Sequence, residues 1–187
     1  MNPGTTTEQE TVSAWETNGT FTHAAVVRTE NPVYDEGATL RAQPLYLESV
    51  APVLNGSFVF QYTASETGGL DVRVSQQLRK RKVVERDAGT AELWQTSVDL
   101  GDRTVEDVDP GSTVRVPYSV NVTRERNESQ QIDDRLDNPP GEIRMGIQTT
   151  VTVAGTVNGR EISQTREYSM PITTESGGYS VNATGTT

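Results

Sequence analysis

IRMGIQTTVTVAGTVNGREISQTREYSMPI, residues Ile143 to Ile172, decides the fold. Its first arm alternates Ile143, Met145, Ile147, Thr149, Val151 and Val153 with Arg144, Gly146, Gln148, Thr150 and Thr152. Its second arm sets Ile162, Gln164, Arg166, Tyr168 and Met170 against Ser163, Thr165, Glu167 and Ser169. Between them, Asn158-Gly159 supplies two residues that tolerate positive φ, which is what a two-residue type I′ turn needs to match strand twist. A period of two over both arms predicts a long antiparallel hairpin with one face buried and one wet.

Outward from the hairpin, other stretches repeat the rhythm. Phe58, Phe60 and Tyr62 alternate with Val59, Gln61 and Thr63, and Val114, Val116, Tyr118, Val120 and Val122 form another row. Val72, Val74, Gln76 and Leu78 share a face, as do Trp94, Thr96, Val98 and Leu100. Phe21, Val26 and Val27 are the core candidates of a first strand near Thr20 to Arg28. Asn55-Gly56 reads as a second hairpin turn, and Gly101 to Ser112 as a polar loop. Pro117 cannot donate to a ladder, so its strand is expected to be unpaired on one side. Only Thr123 to Leu136 breaks the pattern; it is rich in helix formers, places Ile132 and Leu136 four apart, and stops at Asn138-Pro139-Pro140-Gly141. Seven to nine strands and this one helix predict an all-β antiparallel sandwich, immunoglobulin-like in general architecture. The expected organisation is a flexible polar lead-in over residues 1–18, a sandwich domain over 19–174 with the helix at about 123–136, and a flexible tail over 175–187 with a short strand near Tyr179.

Charge narrows the partners. With 26 acidic side chains against 16 Lys and Arg, the net charge is −10. Nucleic acid, which wants a basic face, is not an expected partner. The cluster Arg79-Lys80-Arg81-Lys82 holds the only two lysines and, with Glu85 and Asp87 beside it, reads as the solvated part of a strand and turn. Such an acid-rich surface suits concentrated salt, where repulsion is screened within about 3 Å at 1 M. No run approaches the ~20 apolar residues of a membrane helix. Residues Met1 to Thr11 are too polar for a signal peptide's apolar region, so the chain reads as soluble in the cell or as a piece of a longer exported protein. Cysteine is absent, which excludes disulfides and thiolate chemistry.

Catalytic motifs do not emerge. His23 is the single histidine, too few for a multi-histidine metal site and the only base a Ser-His-Asp triad could use. Glu106-Asp107 with Asp109, and Asp133-Asp134 with Asp137-Asn138, lack calcium-loop spacing and read as solvated charge. Gly68-Gly69 and Gly177-Gly178 are isolated pairs, not a phosphate loop. No catalytic residue, cofactor or metal ligand is assigned. Asn-X-Ser/Thr recurs at Asn18, Asn55, Asn121, Asn127 and Asn182, five of nine asparagines, and marks possible N-glycosylation on an exterior-facing domain.

The run of Trp15-Glu16, Phe21-Thr22-His23-Ala24-Ala25-Val26, Asn31-Pro32-Val33-Tyr34 and Pro44-Leu45-Tyr46-Leu47 resembles a known family. The likeness continues through Ala51-Pro52-Val53-Leu54-Asn55-Gly56-Ser57-Phe58, Leu93-Trp94, Val116-Pro117-Tyr118-Ser119-Val120-Asn121-Val122 and Gly155-Thr156-Val157-Asn158-Gly159, as far as Tyr179. That family is a haloarchaeal one of unknown function, whose members are membrane-anchored, extracytoplasmic and β-rich, some encoded beside signal peptidase I. The resemblance implies a domain on the outer face of the cell membrane, held by anchors that this chain lacks, and it implies no activity. The expectation is a non-catalytic cell-surface ectodomain, an envelope or surface-assembly accessory whose partner is another surface or envelope protein. The alternative is an extracellular carbohydrate-binding or hydrolase domain using a carboxylate pair or an aromatic platform such as Trp94 or Tyr46.

Overall fold

A computed structural model describes residues 14–183. Ten strands and one helix make two antiparallel sheets: β1 (Trp15–Val26), β2 (Thr39–Arg41), β3 (Tyr46–Leu47), β4 (Val53–Ala64), β5 (Gly68–Arg86), β6 (Gly89–Val108), β7 (Thr113–Asn121), α1 (Val122–Arg135), β8 (Glu142–Val157), β9 (Arg160–Glu175) and β10 (Gly178–Val181). The smaller sheet runs β2-β1-β4-β7 and the larger β3-β10-β9-β8-β5-β6. The architecture is an all-β sandwich, and α1 carries the chain from the smaller sheet to the larger.

The hairpin folds as its alternation requires. Val157 pairs with Arg160 and Met145 with Ile172. Asn158 and Gly159 both take positive φ, 51° and 74°. Met145, Ile147, Thr149, Val151 and Val153 are buried on one arm and Tyr168, Met170 and Ile172 on the other. Gln164 and Arg166, in phase with these, are exposed, although their cross-strand partners Val153 and Val151 are buried. Phe58, Phe60 and Tyr62 meet the Val114 to Val120 row and the β8 row in one core, as their matching periods demand. Phe58 sits between Phe21 and Tyr168, with ring centroids 5.0 and 5.1 Å away. Buried tyrosines satisfy their hydroxyls on backbone carbonyls: Tyr62 donates to Val108, Tyr118 to Thr22 and Tyr179 to Ala51.

Several expectations need correction. Asn55-Gly56 is no turn; both residues lie inside β4, with Gly56 paired to His23 and to Tyr118. A Cβ there would stand 1.9 Å from the Thr22 carbonyl and 2.3 Å from the Tyr118 hydroxyl, so the glycine serves close packing between strands. Gly101 to Val108 is not loop but the far half of a 20-residue edge strand with three register shifts against β5. β1 already begins at Trp15, inside the stretch read as lead-in; residues 1–13 lie outside the described ones. At the other end β10 supplies the short strand around Tyr179, within the stretch read as tail. Pro117 does lie on an edge strand, β7.

β5, β6, β8 and β9 are 16 to 20 residues long, against 9 to 12 for β1, β4 and β7. The larger sheet therefore outruns the smaller, and part of its inner face needs another cover. That cover is α1.

Candidate functional site: the ion-pair cluster beneath the helix

The buried alternation of Val72, Val74, Gln76 and Leu78 does not stop at Leu78. It continues through Lys80 and Lys82, which are 2% and 7% exposed. These are the chain's only lysines, and both point inward, so the reading of Arg79 to Lys82 as a solvated segment fails for them. The helix answers with Glu125, Ser129 and Asp133, four residues apart and all buried. Side chains at that spacing stack on one helix face. Here that face is polar, while Ile132 is only half-buried and Leu136 is 51% exposed. Ile132 and Leu136, the apolar pair four apart, are thus not the docking face, because the surface awaiting the helix carries two ammonium groups.

Lys80 Nζ donates to Glu125 Oε2 at 2.6 Å and to Glu128 Oε2 at 3.2 Å. Lys82 Nζ donates to Asp133 Oδ2 at 2.6 Å, and the Trp94 indole N–H donates to Asp133 Oδ1 at 2.8 Å. Arg124 covers Glu125 Oε1 at 2.7 Å, and the Ser129 hydroxyl donates to the Glu125 carbonyl. Near the start of the helix, Arg126 and Thr123 hold buried Glu48 at 2.5 and 3.1 Å. Asn121 caps the helix through its Oδ1, which accepts from Arg124 N–H. Burial alone would push the Glu125 carboxyl up, but the hydrogen bonds from Lys80 and Arg124 outweigh it and hold it below the usual glutamate value. Lys80, Lys82, Glu125 and Asp133 each meet an opposite charge at hydrogen-bonding distance, which is the condition under which charges survive in a core, while Arg126 Nε stays buried without a partner among the described residues. The cluster clamps helix to sheet.

Asp133, read as solvated with Asp134, is therefore a buried anchor, whereas Asp134, Asp137 and Asn138 are exposed. Glu106 and Asp107 stand near the end of β6 and Asp109 in the turn to β7, all three exposed. Among the described residues no group of three or more His, Cys, Asp or Glu could hold a metal ion. His23 is half-buried on β1, its Nδ1 2.8 Å from the Tyr46 hydroxyl, and burial holds its pKa below the ordinary 6.5. Tyr46 cannot serve as a sugar platform: it is fully buried and stacked on Tyr179 at 5.2 Å. Trp94 is half-buried and tied to Asp133. Of the sequon asparagines, Asn18, Asn127 and Asn182 are exposed, while Asn55 and Asn121 are half-buried. The hydroxyl of Ser129, which completes the Asn127 sequon, is locked beneath the helix. On the outer face of the larger sheet lies an open trough of about 610 Å³.

Residues 94–187 match the sequence profile of DUF5305, a family of unknown function, over half of the chain. The chain belongs to this family. The DUF5305 match takes in Trp94, Glu125 and Asp133 and begins beyond Lys80 and Lys82. An uncharacterised protein of Archaeoglobus fulgidus is 21% identical over 160 residues, covering 86% of this chain and 45% of that protein. The chain thus spans less than half the length of this relative. Among solved structures, the sporulation control protein Spo0M from Bacillus subtilis shows 14% identity and a TM-score of 0.26, over 82% of this chain and 48% of that one. A protein from Archaeoglobus fulgidus shows 9% identity and a TM-score of 0.26, over 87% and 98%. Neither likeness carries an argument about role. Among the described residues no helix is long and apolar enough to cross a membrane.

Proposed function

We propose that this DUF5305 domain is a non-catalytic module displayed on the outer face of the cell membrane of a salt-adapted archaeon, as an accessory to envelope or surface assembly. The observation that carries the reading is the direction of the charged groups. Both lysines, with Glu125 and Asp133, are turned inward and matched to one another, so the strongest polar chemistry in the chain serves to fasten a helix. A catalytic acid, base or nucleophile needs reach to a substrate, and Lys82 and Asp133 reach each other instead. The acid-rich exterior supports the salt-adapted setting. Exposed Asn18, with Thr20 exposed two residues on, supports display outside the cell, where it can be glycosylated. The resemblance to membrane-anchored proteins, some encoded beside signal peptidase I, supports the same placement.

The test uses the full-length protein in the cells that make it. Intact cells, kept in their growth salt, are treated with a protease and blotted for the domain. Loss of the domain from unbroken cells is the expected result, with glycan mass on the peptide containing Asn18. Protection until lysis would overturn the placement. Turnover of ester or glycoside substrates that vanishes in Glu128→Gln would overturn the non-catalytic part.

A further inference from the structure

His23 and Tyr46 join the two sheets. His23 lies on β1 of the smaller sheet, in phase with buried Phe21 and Ala25, and Tyr46 is fully buried on β3 of the larger. Two hydrogen bonds converge on the Tyr46 hydroxyl, from the Gln43 backbone N–H at 3.2 Å and with His23 Nδ1 at 2.8 Å. A backbone N–H can only donate, so the hydroxyl accepts from Gln43 and its single proton is left for His23. Nδ1 is therefore the acceptor, and the ring is neutral with its hydrogen on Nε2. A proton added at Nδ1 would turn two donors onto the Tyr46 oxygen and leave the hydroxyl hydrogen without an acceptor inside the fold. A buried donor without a partner is costly, so the added proton and the closed contact compete.

The segment that Tyr46 fastens is held lightly elsewhere. β3 has two residues and pairs only with β10. Leu45 and Leu47, on either side of Tyr46, are each 44% exposed, and Ala42 holds a left-handed φ of 47°, strained for a residue with a Cβ. Such a segment opens more readily than the long paired strands. The groups around the pair leave the titration to His23. Tyr118 of β7 and Tyr179 of β10 are pushed up by burial and keep their protons, Glu48 is held by Arg126 and Thr123 of α1, and Arg41 of β2 pairs with Ala24. We propose that His23 is a pH-sensitive latch: neutral, it takes the Tyr46 hydroxyl proton and keeps residues 42–50 closed on β1; protonated, it releases them. Burial, not a charged neighbour, keeps the latched ring below its ordinary 6.5, and the released ring regains that value. Falling pH therefore favours release from 6.5 down to the folded value and no further below it. This goes beyond the placement argued above, and its failure would leave that placement standing.

His23 is the single histidine of the chain, so its imidazole signals are read without overlap. Long-range proton–nitrogen NMR of the protein in molar potassium chloride should show, near about pH 8, hydrogen on Nε2 and an accepting Nδ1. The amides that report on the segment are Gln43, bonded to the Tyr46 hydroxyl, and Glu48, bonded to the Gly177 carbonyl. Their protection from exchange, corrected for its intrinsic pH dependence, should fall by at least about threefold between about pH 7.5 and 5. His23→Gln, whose side-chain oxygen accepts the Tyr46 hydroxyl without titrating, should remove that dependence. Dilute urea, which speeds exchange most where opening exposes much surface, should leave these two amides almost unmoved. Hydrogen on Nδ1 in the neutral ring, or protection that ignores pH, would overturn the latch. So would a fall that persists in His23→Gln, or one that grows with urea as the core amides of β8 do, since that would assign it to unfolding of the whole domain.

Discussion

Lys82 and Asp133 carry the residue-scale argument. Removing one partner of a buried ion pair strands the other, and Lys82→Met should destabilise by about 3–5 kcal/mol in denaturant unfolding. Replacing both, as Lys82→Met with Asp133→Leu, should lose less than the single change. What remains is the Trp94 indole N–H left without its acceptor, about 1–3 kcal/mol. If Lys82→Met unfolds with the parent, the pair is not an anchor. Acid should act in two steps. Burial keeps the His23 pKa below 6.5, so the unfolded chain takes the proton first and stability falls as pH drops from 6.5 to the folded value, then levels. Glu125 is held below 4.5, so its contribution is intact above 4.5 and is lost as pH falls through its lower folded value. Stability measured against pH should lose the upper step in His23→Gln and weaken the lower one in Glu125→Gln. Steps that survive both changes would assign the titration to other groups.

At the scale of elements, two glycines separate a turn from a close approach. Gly159 sits at φ 74° in open space, and Gly159→Ala should destabilise by about 1–2 kcal/mol through left-handed backbone strain. Gly56→Ala drives a methyl into the Thr22 carbonyl and should destabilise by about 3 kcal/mol or more, read from thermal melts of both. The reverse order would restore Asn55-Gly56 as a turn. The β8–β9 hairpin was legible because alternation and turn chemistry agree there, as they do for Phe58, Phe60 and Tyr62. Asn55-Gly56 misled because the same dipeptide also suits a strand crossed by a tyrosine, and only partner strands distinguish the two. The clamp was missed because charge was equated with solvent. Its signal was present: Lys80 and Lys82 continue the phase of Val72 to Leu78, and Glu125, Ser129 and Asp133 continue one helix face. Read together, opposite charges on two such rows point to each other. The trough could not be read from sequence, since it depends on which strands lie side by side.

For the whole molecule two electrostatic terms compete. Carboxylates outnumber cations 26 to 16, and in dilute buffer their repulsion reaches across the domain, about 30 Å at 0.01 M against about 3 Å at 1 M. Salt also weakens ion pairs. Exposed ones such as Arg144 with Glu85 contribute little, and Lys80 with Glu125 and Lys82 with Asp133 are shielded by burial. Relief of repulsion therefore wins: salt should favour the compact state, and the buried clamp should hold throughout. The most direct measurement is thermal melting of the domain from dilute buffer to molar potassium chloride, with and without a chelator. The account predicts a melting temperature that climbs steadily with salt and ignores the chelator. A flat or falling profile would contradict it, and a loss of stability on chelation alone would replace it with a metal site.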